Sequence, residues 1–296
     1  MILRPRPADA RPPSLDLSNP ESAGSKEQDA IALWYQSRGN NPPPERPYFK
    51  AYKGKDVTRS LEAIFKHKCA YCESRYSLVQ PVDVEHWRPK AEIEGVPKDQ
   101  GGYEWLAMVW ENLLPSCIDC NRGRNQTVPD SRSGSGWIQR KVGKANQFPL
   151  ADPALRWTFG NTGHPEEPLL LDPCRDDPSE YFDFEPTGVV LPKAGLSPEN
   201  LRRAMASIQV YALNRKALVD ERHRHVLRME PIFNLVRFLY QASSDPTLNA
   251  SFRDAASTLV AETLDRLRES CSESAPYSQF LKRRLQDFLI AELGAS

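Results

Sequence analysis

Cys69-Ala70-Tyr71-Cys72 and Cys117-Ile118-Asp119-Cys120 are two C-x-x-C pairs separated by 44 residues. A C-x-x-C lets two thiolates reach one ion from a tight knuckle, and two knuckles complete a tetrahedral zinc site. The gap is longer than that of a compact zinc finger, so a module lies between the pairs. Four thiolates leave no open coordination position, which makes the expected zinc structural rather than catalytic. His67, just ahead of Cys69, is not needed as a ligand.

Outward from the knuckles the local patterns are short. Leu61, Ile64 and Phe65 repeat at helical spacing and predict a helix over 57–67, capped by Asp56 or Thr58 and running straight into Cys69. Val82-Asp83-Val84-Glu85 alternates apolar and acidic, as a half-buried strand does, and Pro89 cannot continue it. Residues 91–102 read as a polar loop, and 103–114 as an apolar stretch leading to the second pair.

The chain has 296 residues, with 39 Lys+Arg against 39 Asp+Glu. Zero net charge argues against holding nucleic acid by diffuse electrostatics, but the total hides two opposed segments. Residues 121–144 carry six bases and one acid, and residues 145–200 carry ten acids and three bases. No apolar run is long enough to span a membrane and the N-terminus has no secretory signal, so the expected location is the cytoplasm and no membrane partner is expected. Cys174 and Cys271 then read as free thiols.

Four regions are expected. Residues 1–48 form a proline-rich arm (Pro12-Pro13, Pro42-Pro43-Pro44) with a short helix over 26–37, wrapping on a body. Residues 49–148 hold the zinc module. Residues 149–196 form an acidic, proline-punctuated connector with short strands at Leu169–Leu171 and Gly188–Leu191. Residues 197–296 form a helical region that opens with Ser197 as cap and Pro198 at the first helical position, with Pro231 breaking a later helix. All six tryptophans lie at or before residue 157 and read as core, with Trp87, next to His86, a candidate for either core or base stacking.

Between and after the knuckles stand Glu85-His86, Asn112 and Asn121. An acid, a histidine and two asparagines laced in this order through a zinc framework resemble an HNH endonuclease, the ββα-metal family. Lys68–Glu73, Val84-Glu85-His86-Trp87-Arg88-Pro89-Lys90, Pro168–Pro173 and Leu213-Asn214-Arg215 narrow the resemblance to the PtuB-like nuclease subunits of Septu and retron-linked anti-phage systems. That resemblance implies an α+β fold: a small zinc-stapled ββα-metal HNH module embedded in a mostly helical protein. It also implies a cognate PtuA-like ATPase partner, and in the retron form a reverse transcriptase with its RNA and DNA.

The residue types suit phosphodiester hydrolysis, which needs an activated water and stabilised phosphate charge. Glu85 and the Asn121 carbonyl suit a Mg²⁺ or Mn²⁺ ion. Asp83, on the same side of the strand, is the competing ligand. A neutral His86 can take the proton from water, and by resemblance Asn112 holds the loop that orients it. Adjacent strand residues point to opposite faces, so Glu85 and His86 share a site only where the strand ends or bulges. Arg88, Lys90, Arg122 and Arg124 are the expected phosphate contacts on DNA. Arg132, Arg140, Lys141 and Lys144 read either as further contacts or as a solvated loop. A zinc-stabilised nucleic-acid adaptor without cleavage, or a nuclease for RNA or tRNA, stays open on these residues.

Overall fold

The computed structural model describes residues 1–38, 45–76, 80–130 and 136–294, and for Asp99 the backbone alone. Pro42-Pro43-Pro44 and Arg132 lie outside the described residues. Among the described residues helices dominate and the sheets are small: three two-stranded ribbons, β1 with β2, β3 with β4 and β5 with β6. No helix among the described residues is long and apolar enough to cross a membrane.

Contacts divide the chain into two compact units that do not follow the linear order. The first comprises 1–126, 139–182 and 192–213, and the second 127–138, 183–191 and 214–296. Residues 197–213 therefore pack with the knuckles rather than with the later helices.

In the first unit, helix α1 (Ala23–Ser37) is capped by the Ser22 side chain accepting from the Ser25 N–H. The arm before it covers apolar surface: Leu15 and Ile31 share a core with Val57, Leu61, Trp110 and Leu113. Helix α2 (Lys55–Phe65) buries Val57, Leu61 and Phe65. Neither expected residue caps it. Gly54 occupies that position without a side-chain bond, and Asp56 Oδ2 instead accepts from the Ser14 N–H at 2.9 Å. Two successive left-handed residues, Lys66 and His67, turn the chain out of α2 and into Cys69.

Strand β1 (Asp83–His86) pairs antiparallel with β2 (Leu113–Ser116), placing Glu85 opposite Leu114 and His86 opposite Leu113. The first knuckle bonds to this ribbon through the Ala70 N–H and the Pro115 carbonyl, 2.9 Å. The second opens directly from β2 as the single turn α3 (Ile118–Asn121). Strands β3 (Arg124–Pro129) and β4 (Trp137–Val142) follow, and the chain then returns across the end of α3. There the Lys144 N–H reaches the Cys120 carbonyl at 2.8 Å and the Ala145 N–H the Asn121 carbonyl at 2.6 Å. Gly143 permits that return: its φ is +119°, and a Cβ would lie 2.2 Å from the Arg122 carbonyl oxygen.

Residues 149–182 bury Leu150, Leu170 and Leu171. The 169–171 stretch is not a strand; it joins the core as irregular chain. Helix α4 (Pro178–Tyr181) leads into β5 (Phe182–Phe184), which pairs with β6 (Val190–Pro192). Helix α5 (Pro198–Val210) carries the expected Ser197 cap, which accepts from the Asn200 N–H. Just beyond it, Tyr211 stacks on Tyr71 of the first knuckle at 3.9 Å. It also accepts from Trp87 Nε1 and donates to the Leu171 carbonyl.

In the second unit, α6 (Lys216–Ser244), α7 (Ala250–Ser270) and α8 (Ser278–Leu293) pack together. Pro231 does not break α6 as expected. It sits on the exposed side, where the carbonyl it leaves without an N–H partner can be hydrated.

The four thiols Cys69, Cys72, Cys117 and Cys120 are buried, and their Sγ atoms all lie within 4.8 Å of one another. Cys72 Sγ is 3.8 Å from Cys117 Sγ. Tetrahedral zinc with Zn–S bonds of about 2.3 Å needs sulfurs about 3.8 Å apart, so the cluster could hold a metal such as zinc. Cys69→Ser or Cys117→Ser is expected to lose bound zinc and lower the melting temperature by more than 10 °C. Elemental analysis with calorimetry checks this, and a metal-free variant melting with the wild type contradicts it.

Candidate functional site

A cleft of about 580 Å³ opens beside β1 and is lined by Asp83, Glu85, His86, Lys90, Asn121 and Arg122 among others. Glu85 and His86 both reach it because β1 ends at His86. The next residue, Trp87, is held through its N–H to the Asn112 carbonyl at 2.9 Å. The Asn112 side chain continues this clamp. Its Oδ1 accepts from the Arg88 N–H at 2.7 Å, and its Nδ2 donates to the carbonyls of Arg88 and Leu106. Asn112 thus ties 87–88 to the 106–112 turn without touching the imidazole.

His86 is buried, with Nε2 2.9 Å from the Ala107 carbonyl. A carbonyl can only accept, so Nε2 carries the hydrogen and Nδ1 keeps its lone pair. Nδ1 faces Lys90 Nζ at 3.4 Å, and Tyr52 packs edge-on to the ring. Burial first, and then the charge of Lys90, push the imidazole well below its ordinary pKa, so it is neutral at pH 7. Lys90 is lowered as well, chiefly by burial.

Glu85 is also buried, and its Oε1 lies 2.5 Å from Lys144 Nζ. Lys144, whose side chain is fully buried, also donates to the His86 carbonyl at 2.9 Å. It is neither a solvated residue nor a surface contact, as its basic neighbourhood suggested; it is an internal tether joining β1 to the second knuckle. Its only sequence signal is its place after Val142-Gly143, where the chain returns to Cys120. Burial raises the Glu85 carboxyl, and Lys144 opposes the rise.

Asp83 takes a different role from Glu85. It accepts from Asn121 Nδ2 at 3.0 Å and from Arg122 Nε and Nη2 at 2.9 and 2.8 Å. Arg122 therefore faces the cleft while bridged to Asp83.

Two expected phosphate contacts are placed elsewhere. Arg88 turns inward because Glu166 offers a buried carboxylate at 2.7 Å and Trp87 and Trp157 face its guanidinium at 4.8 and 4.5 Å. Arg124 pairs with Asp119 at 2.7 Å and does not line the cleft. Arg140 and Lys141 are exposed on β4. His67 stands 3.8 Å from Glu62 and outside the thiol cluster.

The chain is 31% identical over 294 residues to the Septu protein PtuB of Bacillus mycoides (strain KBAB4), covering 95% of this chain and 89% of that protein. The chain belongs to the PtuB family. It is also 26% identical over 197 residues to the Septu protein PtuA of the same strain, covering 64% of this chain but only 23% of PtuA. This PtuB homologue thus shares most of its length with a minor part of that PtuA. No family model matches the chain.

Removing one partner from a buried ion pair costs about 3–5 kcal/mol, so Lys144→Met is expected to destabilise the fold by that amount at pH 8. The folded-state pKa of Glu85 is raised, so its contribution is full at low pH and fades as pH rises through the folded value. Part of the loss should therefore return as the pH is lowered and Glu85 takes up a proton. Urea unfolding in magnesium-free buffer checks the sign, and the double variant Glu85→Gln/Lys144→Met should lose most of the pH dependence.

Proposed function

We propose that the chain is a metal-dependent HNH endonuclease that hydrolyses phosphodiesters, with DNA as the preferred substrate. We read it as the effector of a bacterial anti-phage defence system working with a PtuA-like ATPase. The observation that carries this reading is the buried, neutral His86 in the cleft lining, with Nε2 committed to Ala107 and Nδ1 facing Lys90, which lines the same cleft. Membership of the PtuB family supports the defence setting. A retron reverse transcriptase is a further partner that the resemblance implies.

In this reading His86 Nδ1 takes the proton from the attacking water, and Nε2 holds the ring still while it does so. Lys90, beside Nδ1, meets the negative charge that grows on the phosphate. Arg122 can exchange one of its two bonds to Asp83 for a phosphate oxygen. Asn112 is a positioning residue through its clamp on 87–88, and Lys144 fixes the end of β1 from behind.

The oxygen-rich lining of Asp83, Glu85 and Asn121 fits a hard cation, and Glu85 with Asn121 would hold it. A bound Mg²⁺ or Mn²⁺ would supply stabilisation of charge on the phosphate and the leaving oxygen. Both carboxylates already face a cation, Arg122 or Lys144, and Lys53 and Lys90 add positive charge to the lining, which suits entry of a divalent ion together with a phosphate rather than alone. The four thiols are read as a structural zinc site.

The test is nicking of supercoiled plasmid by the full chain together with its PtuA-like partner and Mg²⁺. His86→Ala is expected to cut at least about 100-fold more slowly while keeping the wild-type melting temperature and zinc content. Cleavage by that variant at the wild-type rate would remove His86 as the base.

A further inference from the structure

A second pocket of the first unit, about 360 Å³, contains Tyr35, Trp105, Trp157 and Phe159 together with Arg38 and Arg156. Its rings form a column. Phe159 stacks parallel on Tyr35 at 4.1 Å and 5°, and Trp105 meets both edge-on at 6.1 and 6.2 Å. Arg38 lies over the Tyr35 ring at 5.3 Å. The Tyr35 hydroxyl donates to the buried Glu104 carboxylate at 2.7 Å, which fixes the ring's angle. Arg156 bonds to neutral acceptors, the Tyr103 hydroxyl at 2.9 Å and the Phe148 carbonyl at 3.3 Å, and so keeps its positive charge at the pocket wall.

One end of the column is unfinished. Phe159 is 38% exposed, and among the described residues no ring other than Tyr35 stacks parallel on it. The next residue, Gly160, has a φ of +80° and open space where a Cβ would stand. An aromatic column ending in a free face, flanked by two guanidinium groups, matches a flat π-system carrying negative charge. A nucleobase with its phosphate has that chemistry.

The pocket is also linked to the cleft at His86 by shared walls. An intervening groove of about 530 Å³ shares Ala145 and Asn146 with the cleft and Ile93 and Val96 with the aromatic pocket. Lys141 and Gly143 line it, so the basic return from β4 runs along its wall. Paired bases hide their faces in the duplex stack, and only an unpaired base can lay a face on Phe159.

We propose that the Tyr35–Phe159 column is a stacking site for an unpaired base of a nucleic-acid strand that continues along the groove to the His86 cleft. This deepens the nuclease reading and rests on it for the direction of the strand, but not for the stacking itself. Trp105 and Trp157 read as core from sequence alone, and the structure places both in the lining of this pocket.

The experiment measures binding without turnover. Fluorescein-labelled single-stranded 12-mers, one DNA and one RNA of the same sequence, are titrated with the full chain carrying His86→Ala in magnesium-free buffer. A DNA duplex of that sequence is titrated in parallel. Phe159→Ala is expected to weaken single-strand binding by about 5- to 150-fold, the range for losing one base–aromatic stack. Phe159→Tyr should keep the affinity, and duplex binding should move less than twofold. The stronger of the two single strands identifies the sugar. Unchanged single-strand affinity in Phe159→Ala, an equal loss for the duplex, or no single-strand binding at all would overturn the proposal. Because cleavage is not read, a chain that stacks single strands here yet cuts nothing would fail the nuclease reading alone.

Discussion

Two knuckles far apart in sequence bring four buried sulfurs within 4.8 Å of one another, and the geometry around the cleft is built off that meeting. The first knuckle bonds to β2 through Ala70, the second grows out of β2 as α3, and the return at 143–145 bonds to α3. β1 is thus held between a ribbon partner and the Lys144 ammonium, both anchored to knuckles. A strand of four residues paired with another of four is marginal by itself. Structural zinc in comparable sites contributes on the order of 10 kcal/mol to folding, so a metal held by the four thiols would help keep so little sheet in one register.

The electrostatics inside this frame are costly and purposeful. Glu85, His86 and Lys144 are buried, with Lys90 half-buried beside them, and each unpaired charge in the buried part would cost several kcal/mol. The structure answers with one close ion pair, Glu85–Lys144, and one neutral ring, His86, whose two nitrogens face different partners. A buried pair of this kind adds little net stability over an apolar substitute, but it defines where the carboxylate sits. Asp83 and Arg122 repeat the arrangement at the more exposed edge. Both carboxylates of the cleft are thus paired, and Lys53 and Lys90 leave its lining with an excess of positive charge, in a chain whose zero total is made of opposed segments.

Much of the framework was legible because it rests on local spacing. The two C-x-x-C pairs pointed to the thiol cluster, alternation at 82–85 to β1, and Ser197-Pro198 to the start of α5. What escaped depends on distant partners. Arg88 reads as a phosphate contact next to His86, but its neighbour is Glu166, 78 residues away, and no local pattern records that pair. Lys144 sits among exposed bases, and only the return of the chain over Cys120 places it inside. The split of 127–138 and 183–191 from their sequence neighbours is of the same kind, since contacts rather than composition decide it. Pro231 shows the converse, a strong local breaker tolerated because its side of α6 faces water.

The account stands on both knuckles serving one ion, and zinc K-edge X-ray absorption of the purified full chain tests that most directly. The prediction is one zinc per chain with four sulfur neighbours at about 2.3 Å and no nitrogen or oxygen in the coordination shell. A shell of two sulfurs with nitrogen or oxygen ligands, or a folded chain with no bound metal, would contradict it.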